Sequence, residues 1–379
     1  MLYFDNAATG GRKPDTVLTA VQSAIRVCAN PGRSGHKLSL SCARLVQETR
    51  NALNDYFQGS GFDRVVFTKN CTESLNLALF GALKKGDHVV VSCLEHNSVL
   101  RPLEFLRKSG VITYDVCPLE GNPVGGEANI SLRSIAALLR PNTRMVVLTT
   151  ASNVTGAIPP FAAVRSVLPK DVLLLCDGAQ GCGHLPVKMQ PMGIDLLSIA
   201  GHKGMMGIQG SGALLFSERI DLTPILLGGT GSISTSLEMP DFYPDALEAG
   251  TLSFPAAVSL LEGVRYLVLH EQPIREKLLA LSKKLIDGLK GVSDCYTVYS
   301  KPNACGIVAF SHRHIQSEYV ADILSAEYDI AVRGGLHCAP LAHEALGTLD
   351  SGLVRVSFSA FNNEREVDRL LIALSEMRK

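Results

Sequence analysis

The chain has 379 residues, 46% of them apolar, and 34 glycines, enough for two domains and a large core. Its 36 Lys and Arg balance 36 Asp and Glu, so no field suited to nucleic acid or a membrane surface is implied. No apolar run reaches the length of a membrane span, and Met1-Leu2-Tyr3-Phe4-Asp5 lacks the basic start and apolar stretch of a secretory signal.

Residues 1–12 read as extended, with Asn6 and Gly10-Gly11 as turn signals. Helical periodicity follows over 14–27, opened by Pro and Asp. A loop at 30–35 leads to a second helix over 38–56 and a strand at 64–68. Thr72-Glu73-Ser74 then opens a helix over 75–83. From there strands at 88–92, 112–116, 145–149, 172–176 and 194–199 alternate with helices at 98–108, 132–139 and 161–168. That alternation argues for a mainly parallel sheet covered on both faces, with 211–216 as an antiparallel return. Near Phe254-Pro255 the pattern changes. Helices at 256–269 and 274–289, separated at Pro273, lead to short strands at 296–299, 306–311, 330–333 and 354–358, and a helix over 364–377 closes the chain. The reading is an α/β fold: a large domain over 13–255 and a smaller α+β domain over 256–379, joined by the segment 1–12.

One stretch needs a chemical explanation. Ser198-Ile199-Ala200-Gly201-His202-Lys203 places a lysine just past a buried strand, where α/β sheets bind ligands. A desolvated lysine is nucleophilic, and its chemistry suits pyridoxal 5′-phosphate. That cofactor needs a lysine for its aldehyde, an acid for its ring nitrogen, a phosphate cup and a group against its ring. Asp177 ends the preceding strand, and Gln180 follows three residues on. Thr72 and Glu73 stand at a helix start, where free amides and the helix dipole favour phosphate, though ordinary capping explains them too. His96 follows the strand at 88–92 and can stack on a ring. Arg355 interrupts an apolar strand and needs a partner, either a substrate carboxylate or a structural acid.

Ten cysteines occur at 28, 42, 71, 93, 117, 176, 182, 295, 305 and 338, without C-x-x-C or zinc spacing. They read as reduced thiols of a cytosolic protein, mostly small core residues; Cys93 and Cys176, at strand ends, fit that description. Cys338 is different. It lies in Arg333-Gly334-Gly335-Leu336-His337-Cys338, a glycine loop expected to be mobile, exposed and electropositive, which favours a thiolate.

Taken together, these residues resemble the class V aminotransferase group of pyridoxal-phosphate enzymes (fold type I), and within it the cysteine desulfurases, on the branch related to selenocysteine lyases. The carriers, in order, are Tyr3-Phe4-Asp5-Asn6-Ala7-Ala8, Thr72-Glu73-Ser74-Leu75-Asn76, Glu95-His96-Asn97-Ser98, Ser152-Asn153-Val154-Thr155-Gly156, Asp177-Gly178-Ala179-Gln180, Gly201-His202-Lys203, Ala249-Gly250-Thr251, the loop from Arg333 to Pro340, and Arg355 with Phe361-Asn362-Asn363. The resemblance implies that Lys203 carries the cofactor, Asp177 pairs with the ring nitrogen, and Gln180 and Asn153 bond near the ring hydroxyl. It implies that His96 stacks on the ring and shares in catalysis, and that Thr72 and His202 bind the phosphate. Thr251 would reach the cofactor of a second subunit in a homodimer. Arg355 would hold the substrate carboxylate, with Asn6, Ala7, His36 and Arg333 lining the substrate pocket. Cys338 would accept sulfur from L-cysteine, releasing alanine and passing the sulfur to an acceptor protein. Two positions depart from the commoner pattern: Ala200 stands where many relatives have Ser, and the loop reads Gly-Gly-Leu-His rather than Thr-Gly-His-His. Other readings are a selenocysteine lyase acting on L-selenocysteine, another class V lyase or aminotransferase, and a sulfur-relay protein without chemistry of its own. A Rossmann dehydrogenase is disfavoured, because no G-x-G-x-x-G follows the first strand.

Overall fold

The structure is a computed structural model that describes every residue except Cys28, Gly32, Arg33, Ser293, Arg378 and Lys379. Cys28 and part of the expected loop at 30–35 therefore lie outside the described residues. In chain order the strands are β1 (Leu2–Tyr3), β2 (Val65–Thr68), β3 (Asp87–Ser92), β4 (Ile112–Cys117), β5 (Thr143–Thr149), β6 (Leu173–Asp177), β7 (Leu196–Ala200), β8 (Gly212–Phe216), β9 (Tyr296–Val298), β10 (Ile307–His312), β11 (Ile330–Ala331) and β12 (Val354–Ser357). The helices are α1 (Asp15–Arg26), α2 (Lys37–Phe57), α3 (Cys71–Ala82), α4 (Asn97–Lys108), α5 (Leu132–Ala137), α6 (Met189–Met192), α7 (Phe254–Val292), α8 (Ser317–Tyr328), α9 (Pro340–Leu346) and α10 (Glu364–Glu376).

Seven strands form the main sheet in the order β2-β8-β7-β6-β5-β3-β4. The run β7-β6-β5-β3-β4 is parallel, and β8 runs antiparallel to both of its neighbours, as the sequence suggested. The central strands carry Leu173-Leu174-Leu175-Cys176 and Leu196-Leu197-Ser198-Ile199, buried at every position. A strand covered on both faces reads as such a continuous apolar run. The strand order reverses at β3 and β5: β4 lies to one side of that pair, β6 and β7 to the other. In open α/β sheets such a reversal opens a crevice beyond the carboxyl ends of the strands.

Four differences from the sequence reading have physical causes. The helix expected over 161–168 is only a 3-10 turn, Val164–Val167, bounded by Pro159-Pro160 and by Pro169, which disfavours a helical residue before it. The two helices expected around Pro273 are one helix of 39 residues, α7, with Pro273 inside it. Proline removes one backbone bond and strains the preceding turn, but Leu267, Ile274, Leu278 and Leu281 are buried on both sides of it, and that packing outweighs the local loss. Helix α3 begins at Cys71 rather than Leu75, because the Asn70 side chain accepts from the Glu73 amide and caps it. The short C-terminal strands do not share one sheet. β9, β10 and β12 form an antiparallel sheet in the order β12-β10-β9, whereas β11 pairs in parallel with β1. The chain's beginning is thus sewn to its end.

Helix α7 crosses directly over the loop that follows β7. A Cβ at Gly263 would lie 2.1 Å from the Met205 carbonyl oxygen, so only glycine permits the contact. Gly263→Ala is therefore expected to destabilise the fold by about 1–3 kcal/mol through overpacking, read as a lower Tm. Gly291→Ala, where an added Cβ meets nothing, should not lower it.

Candidate active site

The ends of β3, β5, β6 and β7 present His96, Asn153, Asp177 and Lys203 around one crevice. Asp177 is the last residue of β6 and is buried. Its Oδ1 accepts from the Ala179 amide at 2.9 Å and from the Cys71 thiol at 3.3 Å. Lys203 lies three residues past β7. Burial lowers its pKa from the usual lysine value, Asp177 and Cys71 act in the opposite direction, and Arg355 and Arg333 reinforce the lowering. The ammonium is thus destabilised in favour of the free amine.

The Lys203 loop is clamped by the first residues of the chain. The His202 carbonyl accepts from Lys13 Nζ at 2.7 Å and from the Gly10 amide at 2.9 Å. The His202 ring pairs with Thr9 Oγ1 at 3.0 Å. Gln180 donates to the Ala7 carbonyl at 3.0 Å, while Asn6 donates to the Ser357 carbonyl and Asn362 Oδ1. Lys203, Gln180, Asn6 and Ala7 line one small pocket together with Arg12, His184 and Phe358.

His96 is the N-cap of α4. Its Nδ1 accepts from the Ser98 amide at 3.0 Å, so in the neutral ring the proton sits on Nε2. Ser98 Oγ is 2.8 Å from that Nδ1 and 2.9 Å from Thr72 Oγ1. Thr72 stands in the first turn of α3. The amides of Cys71 and Thr72 take no acceptor among the described residues, which is the arrangement that binds anions.

Arg355 is buried in β12. It reaches Asp5 Oδ1 at 2.7 Å and the Asn153 carbonyl at 2.9 Å, and its Nε has no partner. Of the two partners the sequence allowed, the structure supplies the acid, Asp5. Backbone bonds in both directions tie Arg355 to Arg333. Arg333 Nη2 lies 4.0 Å from Cys338 Sγ. Of the nine described cysteines, Cys338 alone is exposed; seven are buried and Cys295 is half-buried.

The glycine loop, expected to be mobile, makes close contacts with its neighbours. The Cys338 carbonyl accepts from the Asn97 amide at 2.7 Å, and the His337 carbonyl from Asn153 Nδ2 at the same distance. His337 is buried and bonds to the Leu353 carbonyl. A Cβ at Gly334 would lie 2.4 Å from the Ser317 carbonyl oxygen. The glycines serve close packing against α8, and the thiol stands on a fixed turn beside α4.

Three expected site residues stand elsewhere. The Glu73 carboxylate turns back to the Lys69 amide at 2.5 Å, in keeping with the capping role. His36 is an exposed N-cap of α2, accepting from the Ser39 amide. Thr251 lines a separate cavity of about 400 Å³ with Glu73, Thr68 and Gly212. Conversely, Cys71, Ser98, Lys13, Thr9 and Asp5 were not singled out from the sequence as site residues. Ser98 and Asp5 lie inside the motifs already noted; nothing in the sequence brings Cys71 onto Asp177. No group of three His, Cys, Asp or Glu suited to a metal ion occurs among the described residues, and no helix there is long and apolar enough to cross a membrane.

The class V aminotransferase family model matches residues 2–370. The chain belongs to the class V aminotransferases. It is 31% identical to a probable cysteine desulfurase of Pyrococcus abyssi, over all of this chain and 94% of that one. Among solved structures it is similar to the apo cysteine desulfurase of Thermococcus onnurineus, with a TM-score of 0.89 and 29% identity over 99% of this chain and 94% of the other. It is also similar to a cysteine desulfurase of Escherichia coli, with a TM-score of 0.86 and 25% identity over 99% and 94% of the two chains. The mainly parallel α/β architecture expected for the family is the one found.

Burial lowers the pKa of His96 and of His202 to about 4, and that of His337 to about 2. An unfolded histidine titrates near about 6.5. Between those values the unfolded chain binds more protons than the folded one, so stability is full above about pH 6.5 and falls as pH drops toward 4. Thermal melts of this class V protein should therefore give a lower Tm at pH 5 than at pH 7.5. His337→Asn, which suits the left-handed backbone at φ 50°, should narrow that difference.

Proposed function

We propose that this chain is a pyridoxal 5′-phosphate-dependent cysteine desulfurase that converts L-cysteine to L-alanine and leaves the sulfur as a persulfide on Cys338. The observation that carries the reading is an exposed thiol, beside an arginine and bonded through its carbonyl to the start of α4, next to strand ends that hold a half-buried lysine and a buried aspartate. The donor set fits the cofactor. Asp177 Oδ2 has no donor among the described residues and can accept from a protonated ring nitrogen. The free amides of α3, with Thr72, suit the phosphate and supply a contact where Ala200 has no hydroxyl. The His96 ring, with its proton on Nε2, offers a face to the cofactor ring, and Gln180 and Asn153 stand close by.

When bound, the cofactor supplies an electron sink that makes the Cα proton of an amino acid acidic. Lys203, which would hold the cofactor, is a neutral amine at lower pH than an ordinary lysine and would take that proton. Arg333 draws the substrate carboxylate toward β12, beside Asn6 and Ala7, and Arg355, already paired with Asp5, adds its positive charge there. Cys338, as thiolate, attacks the substrate sulfur. The new S–S bond forms as the C–S bond breaks and the electron pair passes to Cβ; a proton taken up at Cβ and the proton returned to Cα by Lys203 complete alanine. Arg333 Nη2, 4.0 Å from Sγ, puts a cation beside the attacking sulfur.

Thr251 lines its cavity next to the half-exposed Leu226, with Leu227 and Leu237 also exposed. These features support a homodimer in which Thr251 reaches the cofactor of a second copy. We also read the chain as a large domain over 13–255 and a small one over 256–379, in a cytosolic protein whose sulfur acceptor is a second protein.

The purified protein is expected to be yellow, with an absorbance maximum at about 410–420 nm, and to release alanine from L-cysteine. Cys338→Ser should keep the colour and lose alanine release; full release by this variant would sink the mechanism. Parallel turnover on L-selenocysteine measures the alternative substrate. A colourless protein would favour a sulfur-relay role instead.

A further inference from the structure

We infer that Cys71 is a positioning residue for Asp177: its thiol donates to Oδ1 and leaves Oδ2 as the oxygen presented to the cofactor's ring nitrogen. This inference rests on the cofactor reading above. Cys71 is the first residue of α3 and Asp177 the last of β6, 106 positions apart, with Sγ 3.3 Å from Oδ1. The Ala179 amide is 2.9 Å from the same oxygen. With two donors that oxygen is filled, whereas no donor among the described residues reaches Oδ2. The carboxylate is therefore held at one end and open at the other.

The hydrogen bond requires the proton to remain on sulfur. A helix start ordinarily favours the thiolate. Here burial, followed by the Asp177 charge, holds the Cys71 pKa well above its ordinary value, and the opposing effect of Lys203 does not reverse this. Cys71 is thus a neutral donor, and being buried and protonated it is unsuited to accept sulfur itself. That separates it in role from Cys338, which lies on the surface.

A donor to a carboxylate stabilises its charged form. In the pair between Asp177 and a ring nitrogen, the proton can reside on either partner. The Cys71 thiol favours the arrangement with the charge on Asp177 and the proton on the ring. An alanine at this position would leave Oδ1 with the Ala179 amide alone; a serine would keep a donor.

The test is titration of pyridoxal 5′-phosphate into the apoprotein of the wild type, Cys71→Ala and Cys71→Ser, together with the ¹⁵N signal of ring-labelled cofactor in each holoprotein. Cys71→Ala is expected to raise the Kd by about 3- to 10-fold and to move the ring signal toward the unprotonated nitrogen. Cys71→Ser is expected to stay within about twofold of the wild type. An alanine variant with unchanged Kd and unchanged ring signal overturns the inference. A serine variant impaired as much as alanine also overturns it, because packing alone would then explain the loss. A wild type that binds no pyridoxal phosphate overturns the cofactor reading, and this inference with it.

Discussion

A guanidinium shut away from water holds the two ends of this chain together. Arg355 is the largest fully buried side chain described, and such a charge persists only where partners replace the lost solvent. Asp5, from the N-terminal segment, supplies the opposite charge, and Asn153, from the end of β5, supplies a carbonyl. Removing one partner of a buried pair costs about 3–5 kcal/mol in general, so the position of residue 5 is strongly specified. The next few residues follow from it: Ala7, Thr9 and Gly10 all bond to groups around Lys203 or Gln180. The loop carrying the lysine is fixed by a segment that Arg355 anchors from the other end of the sequence.

The site shows the signs of local order spent on function. Arg355 Nε, His337 Nδ1 and Ser198 Oγ are buried without hydrogen-bond partners, and His337 and Cys338 both have positive φ, at 50° and 58°. Strain and unpaired groups of this kind are retained where the surrounding structure over-determines them. Here the surroundings are the Asn97 amide, Asn153 and Leu353, which hold the thiol's turn from three sides. These contacts set the thiol of Cys338 at an exposed position beside the start of α4.

Much of this was legible in the sequence because it is local. Alternating apolar strands and helices gave the parallel sheet, and the ends of those strands gave Asp177, Lys203 and His96 directly. The single reversed strand β8 followed from a short apolar run after the glycines. Long-range pairing was not legible. Nothing near residue 330 says that its strand will pair with Leu2–Tyr3, nothing near Arg355 says that Asp5 will meet it, and nothing near Asp177 points to Cys71. Gly334 and Gly335 were misread for a related reason: glycine permits both mobility and close contact, and only the neighbouring backbone of α8 decides between them. Pro273 similarly looked like a break until the packing on both sides of it was known.

If Lys203 and Cys338 belong to one reaction, sulfur passes from the substrate to the loop thiol. The most direct measurement is the mass of the Cys338-containing peptide after the holoprotein has been treated with L-cysteine, alkylated without reductant and digested. That peptide is expected to be heavier by one sulfur atom, the gain to vanish on reduction, and Lys203→Ala to prevent it. A Cys338 peptide that never gains sulfur while alanine accumulates would contradict that transfer.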